Sequence, residues 1–429
     1  MTDSSTLRIM VDSRLLKVGE HLRQREQQRL RLTSYSKADY KPGSAGAEMV
    51  QLLDAMAKEE NLALSELVVL RDDVAAYGRA TGRGDSELHI VDEFHAFRSA
   101  KTIACGCPDS KHSYAFESIV GGGSAGRDCI HDVRFFVELG NQSYQLLELV
   151  HDLLQFWEIF LRYHTTLDLK EFSVAVQTGL LGRVTDTVFH QHVARQLVPV
   201  LEPAPVNPSV KVLQGEISQR LEKAAFYLEE REFLRPGLAK YTRITSGDVS
   251  NENVKRDMMR IRNVETSFLQ EMVHLADSVR KWLDKQDRIS ELAVMERFRP
   301  YRIVANLVNV LKHGVRGRNQ DCAVIDLDTL WFLQKGDQLA SDDPLLDVMG
   351  CVNYEGELFS LTQLIEDIAH LWELFLRHHS QISLIEFQVR LGRILLSRKG
   401  LSTYTFPMPT GVEAWAQQEA ERRKKLDLK

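Results

Sequence analysis

The side chains best equipped for chemistry stand in two short stretches, Lys111-His112 and Lys312-His313, with arginines near them in the chain. An imidazole can take and return a proton near neutral pH, so two histidines are the least equipment for metal-independent cleavage of a phosphodiester. Arg98, Arg302, Arg316, Arg318 and Lys312 are the cations that would hold the phosphate. A plainer account exists for one of the two stretches. VANLVNVLKHG (304–314) has the pattern of an amphipathic helix, with basic residues in its last turn and glycine beyond, which is how helices end.

A second cluster, Cys105, Cys107, His112, Cys129 and His131, falls within 27 residues and contains ligand types that zinc prefers. Its Cys-x-Cys spacing is not that of a Cys-x2-Cys knuckle, and the matching later stretch keeps only Cys322. Small buried thiols are therefore expected, with no metal and no other cofactor. VGGGSAGRD (120–128) lacks the Gly-Lys-Ser/Thr ending of a phosphate loop and reads as a connector. No nucleophile elbow, zinc-protease signature or dinucleotide fingerprint occurs.

The elements that must position these residues are written twice. WEIFLRYHTTLDLKEF (157–172) aligns without gaps to WELFLRHHSQISLIEF (372–387), with nine of 16 positions identical. The match continues backward through QSYQLLELV and ELFSLTQLI, FHAFR (94–98) and FRPYR (298–302), and the two Lys-His pairs. A repeat this long indicates a tandem duplication of whole domains rather than a solenoid. The expected boundaries are 1–202 for the first domain, 203–208 for a proline-rich linker, 209–400 for the second domain and 401–429 for a C-terminal tail. The two domains are expected to pack about a pseudo-twofold axis.

Within each copy the pattern predicts mostly α-helix with a small β-hairpin element. Long charged helices come first (15–31 and 216–233), then two more (62–80 with 90–106, and 256–284 with 289–313). Apolar and β-branched runs broken by Gly-Asn and Glu-Gly follow, which suggest short strands. A helix carrying the repeated phrase comes next. In it Trp157, Phe160, Leu161 and His164 share one face, while Glu158 and Arg162 form an i, i+4 surface pair. Asp168 with Glu171, and Ser383 with Glu386, have the spacing of capping boxes at the next helix start.

The helix end Asn309-x-x-x-His313-Gly314 resembles the active-site helix of HEPN domains, a helical superfamily rich in ribonucleases that work as pairs. The resemblance implies RNA as a ligand and a bacterial stress or antiviral defence setting. It departs from the family pattern, because the position of the family's arginine is occupied by Val308 before His313 and by Cys107 before His112. What it implies is thus a non-catalytic protein that binds RNA or a protein partner. The alternatives are a ribonuclease using His112 and His313, and a pure protein–protein scaffold.

Bulk composition narrows the setting. The chain has 429 residues, 44% hydrophobic and 27% charged, with a net charge of −6, so no global basic field advertises nucleic acid. Five cysteines in no disulfide spacing suggest a reducing compartment. No run approaches the length of a membrane span, and MTDSSTLRIMVDSRLL does not read as a signal peptide. The expectation is a cytoplasmic protein with no membrane partner.

Overall fold

The computed structural model describes residues 4–35, 47–83, 87–106, 111–119, 129–139, 142–165, 167, 208–234, 252–313, 322–324, 331–333, 347–349, 351–355 and 357–380. The chain divides into two compact units, Met1–Pro199 and Val200–Lys429. Both are mainly helical, and each carries a three-stranded antiparallel sheet.

The first unit opens with α1 (Ser4–Leu32) and α2 (Ala47–Thr81), an antiparallel hairpin of long helices. Leu7, Val11, Leu15, Val18, Leu22, Arg25, Arg29 and Leu32 are buried on α1 at alternating spacings of four and three, the stripe two packed helices require. Polar bolts fix the register. Arg14 pairs with Glu66 (2.5 Å) and with Asp73. Deeper in, the buried Arg25 reaches Glu60 at 3.0 Å and, on the strand β2, Asp132 at 2.6 Å. Burial opposes the Arg25 charge, but Asp132 and Glu60 more than restore it, so its pKa lies above the ordinary arginine range.

Two shorter helices follow, α3 (Leu88–Glu93) and α4 (His95–Ala104). The buried Phe94 between them is extended at φ −67° and ψ 125°, which ends one helix and caps the next. The sheet comes next: β1 (Lys111–Ile119), β2 (Cys129–Leu139) and β3 (Gln142–Gln145), in that spatial order and all antiparallel. The last pair of β2 with β3 is Leu139 with Gln142, on either side of the Gly-Asn signal in the sequence. α5 (Leu146–His164) then packs against the hairpin, and its Trp157 indole donates to the Leu67 carbonyl of α2 at 3.0 Å.

The second unit has α6 (Pro208–Leu234) and α7 (Glu252–Asp284) as its long hairpin. Pro208 stands at the first helical position, where the missing amide hydrogen costs nothing. A 3-10 turn (Ile289–Glu291), α8 (Leu292–Arg297) and α9 (Arg299–His313) follow, with the buried Phe298 extended between the last two. The strands are β4 (Cys322–Val324), β5 (Trp331–Leu333), β6 (Asp347–Met349), β7 (Cys351–Tyr354) and β8 (Glu357–Ser360). β4, β7 and β8 make the three-stranded sheet, and β5 pairs with β6 separately. α10 (Leu361–His379) closes the described part.

Three expectations need correction. The helix expected over 90–106 is two helices, broken at Phe94, and that over 289–313 is broken at Phe298. The β element of the first unit has three strands rather than two. Lys111 and His112 open β1, a strand the helical reading passed over, because α4 ends at Ala104 and Gly106 turns the chain at φ 71°. The proposed capping boxes at Asp168 and Ser383, the linker prolines Pro203 and Pro205, and the tail 401–429 lie outside the described residues.

Candidate functional site

The repeated phrase builds the same buried stack in each unit. In α5 the Trp157 ring meets Phe160 edge-on at 5.7 Å, and the His164 ring lies flat on Phe160 at 4.6 Å. In α10 Trp372 meets Phe375 edge-on at 5.9 Å, and His379 lies on Phe375 at 4.5 Å. The partner outside the helix also corresponds, with Phe97 of α4 against Trp157 and Tyr301 of α9 against Trp372, each at 6.1 Å. Glu158–Arg162 and Glu373–Arg377 close at 2.6 and 2.5 Å, as the i, i+4 spacing predicts, although Glu373 is buried rather than on the surface. Trp157, Phe160, Trp372 and Phe375 are all buried, so this part of the phrase is core, and its repetition reports construction.

His379 adds a buried polar contact. Its Nδ1 lies 2.7 Å from Glu291, which Arg288 also holds at 2.7 Å. Burial pushes the His379 imidazole below its ordinary range, and Glu291 only partly offsets this. The same burial raises the Glu291 pKa, but hydrogen bonds from His379 and Arg288 outweigh it and bring the carboxyl down to about 2.

The predicted site residues fall in different settings. His112 is exposed near the start of β1. His313 is the last residue of α9, preceded by Lys312, and the side chains of both lie outside the described ones, as do Arg316 and Arg318. Thus one histidine is on a strand and the other at a helix end. Arg98 and Arg302 are both exposed, each at the fourth position of its helix, α4 and α9. Among the zinc candidates, Cys105 is a free, exposed thiol just beyond α4, while Cys107 and the side chains of Cys129 and His131 lie outside the description. Among the described residues no three His, Cys, Asp or Glu side chains converge on one point, and no helix is long and apolar enough to cross a membrane.

The register of the sheet places His112 and Tyr144 in one row. His112 pairs with Val137 and Val137 with Tyr144, so the three form a row across β1, β2 and β3. His112 and Tyr144 therefore stand on one face, two strands and roughly 10 Å apart. At the Tyr144 end, α4 supplies a hydrogen-bonded chain. His95 Nδ1 lies 3.5 Å from Ser99 Oγ, Ser99 donates to the Tyr144 phenol at 2.9 Å, and Tyr144 donates to Gln142. Burial raises the Tyr144 pKa, against the opposing influence of Ser99 and the nearby Arg98. His95, Ser99, Tyr144 and Gln142 were not singled out in the sequence. Ser99 and Tyr144 stand 45 residues apart, which carries no local motif, and only the placing of β3 beside α4 joins them.

A second surface feature lies on α6. Val212, Phe226 and Phe233 are exposed, Phe233 to 82%, and with Gln219 they recur every seven residues along one line of the helix. Beside this line a groove of about 360 Å3 is lined by Gln219, Glu222, Lys223, Phe226, Tyr227 and Glu271. Glu216, Glu222, Glu229 and Glu230 flank the line against two lysines, Lys211 and Lys223.

Fold and site thus describe two mainly helical units, each with an antiparallel sheet and a long helical hairpin. In comparisons with known proteins, no family model, no curated protein and no solved structure matches this chain.

Proposed function

We propose that the protein is a non-catalytic interaction protein, built by duplication of one HEPN-like unit, whose partner is a basic amphipathic helix docked on α6. The observation that carries this reading is the exposed apolar line Val212–Gln219–Phe226–Phe233, spaced for a partner helix and bordered by more acids than bases. The duplication is supported by equivalent contacts in the two units. Arg14 with Glu66 and Asp73 corresponds to Arg220 with Glu271 and Ser278, and Arg25 with Glu60 corresponds to Arg231 with Glu265. The departures from the HEPN arginine–histidine pattern at Val308 and Cys107 favour binding over cleavage.

The test is binding of a fluorescein-labelled helical peptide, with leucines every seven residues and lysines between them, to the full chain. Phe226→Ser with Phe233→Ser is expected to weaken binding by at least about tenfold, the loss of two exposed aromatic anchors. Labelled single-stranded RNA is titrated in parallel across a salt series, with cleavage scored. Peptide affinity unchanged by the double substitution, or tight salt-dependent RNA binding in its place, would falsify the helix-docking reading.

A further inference from the structure

We infer that the basic helix received by α6 is residues 411–429 of a second copy of this chain. The inference rests on the α6 reading above and names its occupant. Thr410 and Glu413 have the spacing of a capping box and follow Pro407 and Pro409, which is how a helix start is written in sequence. Alanines and long straight side chains come next, and Glu419 with Arg423 and Glu421 with Lys425 are i, i+4 pairs with the acid first. At helical spacing Val412, Trp415, Ala416 and Leu426 share one face, crossed by the Glu419–Arg423 pair. Residues 422–425, Arg-Arg-Lys-Lys, are the only run of four cations in the chain.

The α6 face complements this segment. Its exposed rings, Phe226 and Phe233, and the groove of about 360 Å3 beside Phe226 suit an aromatic anchor, and Trp415 is the one aromatic residue of 411–429. Glu216 and Glu222 are exposed and Glu229 and Glu230 half-buried along the same line, which gives the four cations acids to meet. The first unit lacks both halves of the match. On the correspondence of Arg14 with Arg220 and of Arg25 with Arg231, the positions of Val212, Gln219, Phe226 and Phe233 are Thr6, Ser13, Glu20 and Gln27 in α1. The exposed aliphatics of α1, Ile9, Leu16 and Leu30, stand on a neighbouring line without an aromatic ring. In the repeat read from the sequence, 401–429 has no counterpart after the first domain either. The apolar line and the basic segment thus occur together, in the second unit. The occupant is assigned to another copy because within one chain Phe226 stays 56% and Phe233 82% exposed. Residues 381–411 join Ser380 to the segment, and even at a helical rise they reach about 45 Å, more than the about 40 Å of α6. Two copies can therefore exchange segments, each on the α6 of the other, which closes a twofold dimer.

Sedimentation velocity of the full chain across a concentration series is the test, with two variants beside it. Trp415→Ser with Arg423→Glu and Lys424→Glu breaks the segment, and Phe226→Ser with Phe233→Ser breaks the face. The parent is expected to form a dimer of its 49.0 kDa chain as concentration rises, and each variant alone to remain a monomer. A mixture of the two variants holds one intact segment and one intact face, and it is expected to form a dimer, which also shows that both variants fold. A fluorescein-labelled peptide of residues 411–429 is expected to bind the segment variant, and at least about tenfold more weakly once Phe226→Ser and Phe233→Ser are added. A parent that stays monomeric, a dimer that survives either variant, a mixture that stays monomeric, or peptide binding indifferent to the two rings overturns the proposal. So does a monomeric parent that binds the labelled peptide at least about tenfold more weakly than the segment variant does, which would place the segment on its own chain. If the proposal fails while the leucine–lysine peptide still needs Phe226 and Phe233, the α6 reading stands with a different occupant. If that peptide is indifferent to the rings, both readings fail.

Discussion

The middle row of the two sheets separates the units: His112–Val137–Tyr144 in the first, Val324–Val352–Phe359 in the second. Several framework contacts around these rows have a counterpart in the other unit, among them the edge-on Trp–Phe pairs and the long-hairpin arginines with their glutamates. The polar equipment does not. One unit ends its row on an imidazole and a phenol, and the other on Val324 and on Phe359, over which lies an arginine that its own glutamates neutralise. Where the units agree, the residues hold the fold together. Function is better sought where an equal framework carries unequal chemistry.

The largest way to break the comparison is at the hairpin bolts. Arg25 is held by acids on two other elements, Glu60 of α2 and Asp132 of β2, whereas Arg231 pairs with Glu265 of α7 and with its own neighbour Glu232. Arg25→Ala strands two buried carboxylates and is expected to cost about 3–5 kcal/mol. Arg231→Ala is expected to cost less, because Glu232 is its chain neighbour and its ion pair with another helix is the one with Glu265. Urea unfolding of the two variants decides it, and equal losses would show that the β2 contact adds nothing.

A smaller effect distinguishes the two buried indoles. Trp157 Nε1 donates to Leu67, but Trp372 Nε1 has no acceptor among the described residues. The packing loss in Trp157→Phe and Trp372→Phe is alike. The first is expected to be worse by about 1 kcal/mol, since it also loses the indole's hydrogen bond to the Leu67 carbonyl. Thermal or urea melts of both variants measure the difference, and a larger loss at Trp372 would contradict it.

The acid response sharpens the contrast further. His379 has a folded pKa below its ordinary 6.5, so the unfolded chain binds the proton more readily and stability falls as pH drops below that value. Glu291, with its folded pKa brought down to about 2, contributes stability above the ordinary 4.5 that is lost as pH falls from there toward 2. His379→Gln is expected to flatten the limb just below pH 6.5, and Glu291→Gln the limb below pH 4.5. Melting temperatures across pH 2–8 separate the two, and a profile identical to the parent in both variants would remove the pair from the account.

The smallest effect is expected on the α6 face. Phe226→Ser and Phe233→Ser remove exposed rings and should each change stability by no more than about 0.5 kcal/mol. A larger loss in a urea melt would mean that these rings are packed rather than presented.

Much of the architecture was legible in the chain itself. Heptad-like spacing on α1 and the repeated phrase on α5 and α10 are local patterns, and local patterns survive in sequence because helical neighbours lie three and four residues apart. The breaks at Phe94 and Phe298 were not legible, since each depends on a buried pocket for the ring, such as the stack of Phe94 on Phe156 at 4.2 Å. β1 was lost for a similar reason: strand pairing with β2 stabilises it, and pairing is non-local.

The candidate sites divide in the same way. The sequence by itself determined two mostly helical halves with a small β element, and it marked Arg98, Arg302 and His112 as chemically capable residues. Only the tertiary structure decided that Ser99 meets Tyr144, that Glu355 and Glu357 close over Arg299, and that Phe226 and Phe233 face outward while Trp157 faces in. The physical reason is range. Helix periodicity is written within one turn of chain, whereas burial and charge pairing depend on which distant segments arrive at the same place.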